Sequence, residues 1–304
     1  NVKEPLEDIE QYWTLATIYF ALGGPNWQDQ QDWLTGKSPC DPERWFGITC
    51  SQKTSNVVSM EMIANNLTGS LPTEIALLTS LSQLILMNNQ ITGAIPSEIG
   101  LFQGLKALEL IQNSISGTIP SEIGLLSKLE YFKFSHPLTE GSLPTQMGLL
   151  TSLTTFYLYD MMYLSGSLPS QIANLSSLSD LFVESSFDNE INFSSFLSHL
   201  PTSLESLWLY DMPFAGSIPT SIRFFHNLTA LSLNSLTLSG TLPSEIGLLT
   251  SLTKLDFSYS TLEGKIPSEL GRLTRMTGLY VDGTNFEKPF PSEVVQIPGL
   301  ITNH

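Results

Sequence analysis

The residues of this chain best suited to making and breaking bonds are four histidines, His136, His199, His226 and His304, and two cysteines, Cys40 and Cys50. Metal binding needs several such ligands at short, regular spacing, and nucleophilic catalysis needs a thiol or hydroxyl beside a base. No two of the histidines stand at ligand spacing, and none accompanies a motif serine or cysteine. The glycines recur in phase along the chain instead of forming a phosphate-cradling loop behind a strand. The sequence therefore predicts a protein that is not an enzyme and needs no metal or cofactor. What remains is recognition, and for this the side chains are concentrated: Tyr157, Tyr159, Phe182, Trp208 and Tyr210, with Asp160, Asp180, Glu184 and Asp211 among them. Aromatic residues gathered on an exposed surface are costly to leave wet and typically anchor interfaces. Whether these residues meet depends on the elements that carry them.

Those elements are repeats. A Gly-x-Leu/Ile-Pro tetrad ends at Pro72, Pro96, Pro120, Pro144, Pro169, Pro219, Pro243 and Pro267, in steps of 24 or 25 residues apart from one double step, and a further unit ends at Pro291 with Lys288 in place of the glycine. Upstream of the prolines runs a second phased pattern: Val57, Met60, Met62 and Asn65, then Leu81, Leu84, Leu86 and Asn89, then Leu105, Leu108, Leu110 and Asn113. Apolar residues two apart point to one side of a strand while the residue between them points to the other. Each coil thus offers one short strand, and about ten stacked coils give a parallel sheet. No coil buries its apolar side alone, so stability comes from neighbours.

These residues resemble the plant-type leucine-rich repeat, whose coil reads approximately LxxLxLxxNxLxGxIPxxLxxLxxL, over about residues 55 to 298. The resemblance implies a mostly β, α/β solenoid: a right-handed superhelix with a concave parallel sheet and short 3-10 or helical turns on the convex side. It extends to the extracellular domains of receptor-like proteins and kinases and to polygalacturonase-inhibiting proteins. In such proteins the positions between and just after the strand leucines face the concave side and carry recognition. The first such column here is Glu61, Ile85, Glu109, Lys133, Tyr157, Phe182, Trp208, Ser232, Asp256 and Tyr280. The second runs through Ile63, Met87, Ile111, Ser135, Tyr159, Glu184 and Tyr210. The candidate ligand-binding residues are accordingly Tyr157, Tyr159, Asp160, Phe182, Glu184, Trp208, Tyr210 and Asp211, with Lys133 as the nearest base. Aromatics also favour strands for packing alone, so cross-strand stiffening is the competing reading. The ladder asparagine of the early coils is replaced by Pro137, Met212 and Leu236 in the region where the aromatics occur, and local irregularity of this kind accompanies function. Ile63, Ile85, Met87 and Ile111 could extend the surface. The acids that follow many of the prolines, Glu74, Glu98, Glu122, Glu245 and Glu269, suit the positive end of a short turn and are read as scaffold.

Residues 1–54 form a capping region, and 55–304 a continuous run of repeats. Ile9, Tyr12, Trp13, Ala16 and Phe20 recur at helical spacing, and Gly23-Gly24-Pro25 ends that helix, which is expected to cover the apolar end of the first coil. The segment Trp45-Phe46-Gly47-Ile48-Thr49-Cys50 resembles the N-terminal cap motif of plant-type receptors, and Gly24-Pro25-Asn26-Trp27 through Trp33-Leu34 is similar to caps of algal and microbial relatives. An isolated pair, Cys40 and Cys50, reads as a local disulfide in an oxidising compartment, the alternative being two buried thiols. Asn66, Asn174, Asn192 and Asn227 lie in glycosylation sequons, several of which chance alone supplies in so Ser- and Thr-rich a chain. No C-terminal cap is evident, since Leu300 stands where another strand would begin, and the natural protein is expected to continue.

A net charge of −16 argues against nucleic acid and against an anionic membrane surface. No run of 18 apolar residues exists to span a bilayer. The expectation is an extracellular or cell-surface module binding a protein or peptide, with a basic segment suited to the acid-rimmed aromatics. Carbohydrate binding, or enzyme inhibition of the polygalacturonase-inhibitor type, is the second expectation. Adhesion or structure, including an ice-binding side, ranks last, because no regular threonine lattice is apparent on one face.

Overall fold

The computed structural model describes residues 5–41, 45–135, 141–161, 168–185 and 190–303. They form two compact units, Asn1–Leu153 and Thr154–His304. Both are runs of leucine-rich coils on a parallel sheet.

In the first unit the parallel strands are Val57–Glu61, Gln83–Ile85, Ala107–Glu109 and Tyr131–Ser135, each paired to the next in step. In the second they are Thr155–Tyr159, Asp180–Glu184, Ser206–Tyr210, Ala230–Asn234, Lys254–Asp256, Gly278–Tyr280 and Ile301–Asn303. The alternating pattern runs through the sheet, Leu84, Leu86, Leu108, Leu110, Leu207 and Leu209 being fully buried, and fails at Ile301–Asn303, where Ile301 is exposed. The residues between these leucines stay on the open face. Most coils then turn through a flank and enter a five-residue 3-10 turn such as Ser97–Leu101 or Ser244–Leu248, with short α-helices at Phe193–Ser198 and Ser292–Val295 instead. The proline before the serine is the N-cap, and its carbonyl accepts from the amide three residues on, as Ile99 to Pro96 at 3.0 Å. The serine or threonine does not cap the turn. Its hydroxyl donates to the carboxylate beside it, as Ser121 to Glu122 at 3.0 Å.

The asparagine ladder binds coil to coil in the first unit. Asn89 accepts from the amides of Asn65 and Leu67, both at 3.0 Å, and its own amide donates to the Met62 carbonyl at 2.7 Å. Asn113 repeats this with the Ile91 amide and the Leu86 carbonyl. In the second unit Met161, Met212 and Leu236 fill the same place and are buried. There the Ser185 hydroxyl donates to the Met161 carbonyl instead, at 2.8 Å. Pro137 and His136 lie outside the described residues.

The cap begins with the helix Pro5–Ala21, which Gly23 ends in the left-handed region at φ 71°. Of the expected stripe Ile9, Tyr12, Trp13, Ala16 and Phe20, Ala16 is buried and Tyr12 half-buried, but Ile9, Trp13 and Phe20 point outward. Those three are exposed, Trp13 by 66%, while Leu15, Ala16, Ile18, Tyr19 and Leu22 face inward. Both stripes have helical spacing, and the inward one wins because it meets a dense aromatic cluster. Trp33 lies 4.8 Å from both Trp27 and Trp45, Tyr12 lies 5.2 Å from Trp45, and Tyr19 stacks on Trp33. Two indole nitrogens in this cluster are satisfied by carbonyls, Trp27 donating to Leu22 and Trp33 to Phe46. Cys40 and Cys50 are joined in a disulfide. The strand Ile48–Cys50 then pairs with Val57–Glu61 antiparallel, so the sheet of this unit starts with one reversed strand supplied by the cap.

Candidate functional site

The concave columns run in register along each unit. In the second unit Tyr157 is opposite Phe182, Phe182 opposite Trp208, Trp208 opposite Ser232, Ser232 opposite Asp256, and Asp256 opposite Tyr280. Glu184, Tyr210 and Asn234 align likewise in the next column. Adjacent parallel strands lie about 4.8 Å apart, so in-register aromatics have little choice but to touch. Phe182 is the hub, with ring centroids 4.4 Å from Tyr159, 5.3 Å from Tyr210 and 5.7 Å from Tyr157. Trp208 stacks on Tyr210 at 6.4 Å with the rings 11° from parallel. All five are half-buried, leaving edges and partial faces to solvent.

One neighbour escaped sequence reasoning. Lys254, three strands of the sheet along from Phe182, reaches back over the small Ala230 and Ser232. Its Nζ lies 4.8 Å from the Trp208 ring centre and 5.5 Å from that of Tyr280. The Trp208 ring thus carries a cation as well as its Tyr210 neighbour. A reading coil by coil compares only adjacent strands, whereas a lysine stem spans two. Lys133, expected as the nearest base, belongs to the first unit and pairs with Glu109 at 3.2 Å.

The acids set the field at the other side of the cluster. Burial, then Asp211 and Asp160, push the Glu184 carboxyl above its usual range. Burial and Asp180 raise the Tyr157 hydroxyl, and burial, Asp256 and Glu184 raise that of Tyr210 against a hydrogen bond with Ser232. A cation placed there would relieve that mutual repulsion. Asp160 and Asp211 also have a backbone role. They follow their strands at φ 53°, at the repeat position where Asn88, Gln112 and Tyr259 are also left-handed. Aspartate tolerates that conformation better than most residues, so part of the reason for its presence is conformational.

The smaller apolar group stays within the first unit: Ile63 is exposed, and Ile85, Met87 and Ile111 are half-buried. Of the sequon asparagines, Asn66 donates to the Asn26 carbonyl and accepts from Gln90, and Asn192 caps the helix Phe193–Ser198 through the Ser195 amide. Asn174 and Asn227 are exposed. Among the described residues no group of His, Cys, Asp and Glu is arranged to hold a metal ion, and no helix is long and apolar enough to cross a membrane.

Residues 251–273 match the family model described as Leucine Rich Repeat. No curated protein sequence is significantly similar to the chain. Among solved structures, a plant ice-binding protein superposes with a TM-score of 0.76 at 22% identity, covering 93% of this chain and 89% of that one. The plant peptide hormone receptor RGFR1, in complex with RGF2, gives 0.68 at 27% identity over 85% of this chain and 48% of the receptor. A TDR receptor gives 0.58 at 26% identity, over 77% and 48%. The chain therefore spans about half the length of the receptor structures it matches.

Proposed function

We propose that this chain, whose coils resemble the plant-type leucine-rich repeat and match the Leucine Rich Repeat model over residues 251–273, is an extracellular recognition module whose concave aromatic cluster binds a basic peptide or a basic segment of a protein. The observation that carries this reading is the contact set of Phe182, Tyr159, Tyr210 and Trp208 beside Glu184, an acid whose ionisation is disfavoured by burial and then by Asp211 and Asp160. The aromatics supply apolar area, and Glu184, Asp160 and Asp211 supply the complement to a cation. The likeness to a receptor solved with a peptide hormone supports a peptide as the class of ligand. The disulfide supports an oxidising location.

The test is equilibrium binding to a panel of short synthetic peptides bearing Lys or Arg, with Glu-substituted counterparts, at two salt concentrations and across pH 4 to 8. In the free protein ionising Glu184 is unfavourable, and a bound cation favours the ionised form. Affinity should therefore rise as pH increases through a range above the ordinary carboxylate one, and Glu184→Gln should flatten that rise. Asp211→Asn keeps a residue tolerant of the left-handed backbone and removes one charge, so the salt dependence should become shallower. Peptides bound equally well by both variants and the parent at every pH would defeat the acidic half of the reading.

A second reading rests on the flank of the first unit. Ser70, Thr92, Ser114, Thr118 and Ser142 are all exposed there, and neighbouring coils approach closely, a Cβ added at Gly93 meeting that of Ser70 at 2.9 Å. Exposed small hydroxyl and methyl groups, even without a regular threonine lattice, offer a surface on which ordered water can settle, a property that would suit ice. The parent protein would then inhibit ice recrystallisation, Thr118→Tyr would abolish the effect, and Trp208→Ala would not. No effect of the parent on ice growth would remove this reading.

A further inference from the structure

We propose that the convex side of the first unit is a second docking surface, fitted to a basic amphipathic helix of another protein. Leu77, Leu101, Leu125 and Leu149 each end a five-residue 3-10 turn on four consecutive coils, and they are 63%, 58%, 54% and 58% exposed. The core does not need them. The inward positions of the same turns are filled by Ile75, Ile99, Ile123 and Met147, all fully buried. Nor does the coil demand leucine: in the second unit two equivalent positions carry Asn174 and Arg272, while the other two carry the exposed Phe224 and Leu248. Four exposed leucines in one column, where the scaffold accepts polar residues, form a surface that asks for a partner.

The acids beside them say which kind. In a 3-10 helix side chains three apart eclipse, so Leu77 shares its face with Glu74, Leu101 with Glu98, and Leu125 with Glu122. The hydroxyls of Thr73, Ser97 and Ser121 donate to these carboxylates and hold them beside the column. Among the described residues none of the three acids forms an ion pair, while Lys106 and Lys133 are paired with Glu130 and Glu109. The surface is thus an apolar row with an anionic row alongside. Coils repeat about every 4.8 Å at the sheet, and an α-helix advances about 5.4 Å per turn. A helix with apolar residues three and four apart and Lys or Arg alongside would match both rows. A second copy of this chain would set acid against acid, within a molecule of net charge −16, and an anionic lipid surface would be repelled in the same way.

The experiment uses the full chain and an 18-residue synthetic peptide of leucine and lysine at amphipathic helical spacing, with a leucine–glutamate counterpart as control. The quadruple variant Leu77→Asn, Leu101→Asn, Leu125→Asn, Leu149→Asn borrows the residue found at Asn174 and should melt as the parent does. It should bind the leucine–lysine peptide at least tenfold more weakly than the parent, and the glutamate peptide should bind neither. The comparison is repeated in a Glu184→Gln, Trp208→Ala background, where the tenfold difference should persist, which separates this surface from the concave one. Equal binding by parent and quadruple variant overturns the proposal, as does a difference that vanishes in the concave-site background. Sedimentation showing a dimer of the parent that the quadruple variant lacks would assign the face to a second copy and overturn it equally. Should the quadruple variant fail to fold, Leu101→Asn and Leu125→Asn singly should each weaken the peptide about threefold, and no weakening in either overturns the proposal.

Discussion

Replacing Trp45 with alanine is expected to destabilise the protein by about 3–5 kcal/mol, the range for a large aromatic removed from a packed interior. Trp45 is fully buried and touches Trp33 and Tyr12, so its loss opens a cavity between the helix Pro5–Ala21 and the reversed strand Ile48–Cys50. The neighbours cannot close it easily, because Trp33 is tied to the Phe46 carbonyl and Trp27 to that of Leu22. Trp13→Ala, on the exposed side of the same helix, should change stability by less than about 0.5 kcal/mol. Chemical denaturation of the two variants with the disulfide intact measures the contrast. Equal losses would mean that the helix packs by its other stripe.

Trp208→Ala is expected to weaken the tightest peptide of the panel by about 2 kcal/mol or more, roughly a thirtyfold loss, as for a central aromatic anchor. Its stacking on Tyr210 and its contact with Lys254 give it a share in the scaffold as well. Stability should therefore fall by about 1 kcal/mol, the size of an aromatic pair, and no more, because the ring lies outside the leucine core. Isothermal titration beside thermal melting separates the two effects. Stability lowered with affinity unchanged would leave Trp208 as a stiffener of the sheet and remove it from the binding surface.

The concave columns were legible in the sequence because the period leaves no freedom: once Leu207 and Leu209 are core, Trp208 faces outward beside Phe182 and Ser232. The helix was legible in its extent but not in its orientation. The inward Leu15, Ile18, Tyr19 and Leu22 and the outward Ile9, Trp13 and Phe20 are all compatible with helical spacing, and only the tryptophans brought from residues 27 to 45 decide which side is buried. Lys254 was hidden because its reach depends on Ala230 and Ser232 being small, a condition on the intervening strand. The role of Asp160 and Asp211 just after their strands was hidden for a different reason. Left-handed backbone leaves no trace in a pattern of apolar residues, and the same repeat position accepts Gln112 and Tyr259.

The strands of the second unit stay in step although the chain between them varies. Thr155 pairs with Asp180 after 25 residues, Asp180 with Ser206 after 26, and Ser206 with Ala230 after 24. Small insertions are thus absorbed in the arcs and never transmitted to the columns. For an evolving lineage this decouples length from specificity: a coil can gain a residue, or a whole coil be duplicated, while each column position mutates independently of the rest. Such a surface can explore new ligands one side chain at a time without refolding its frame.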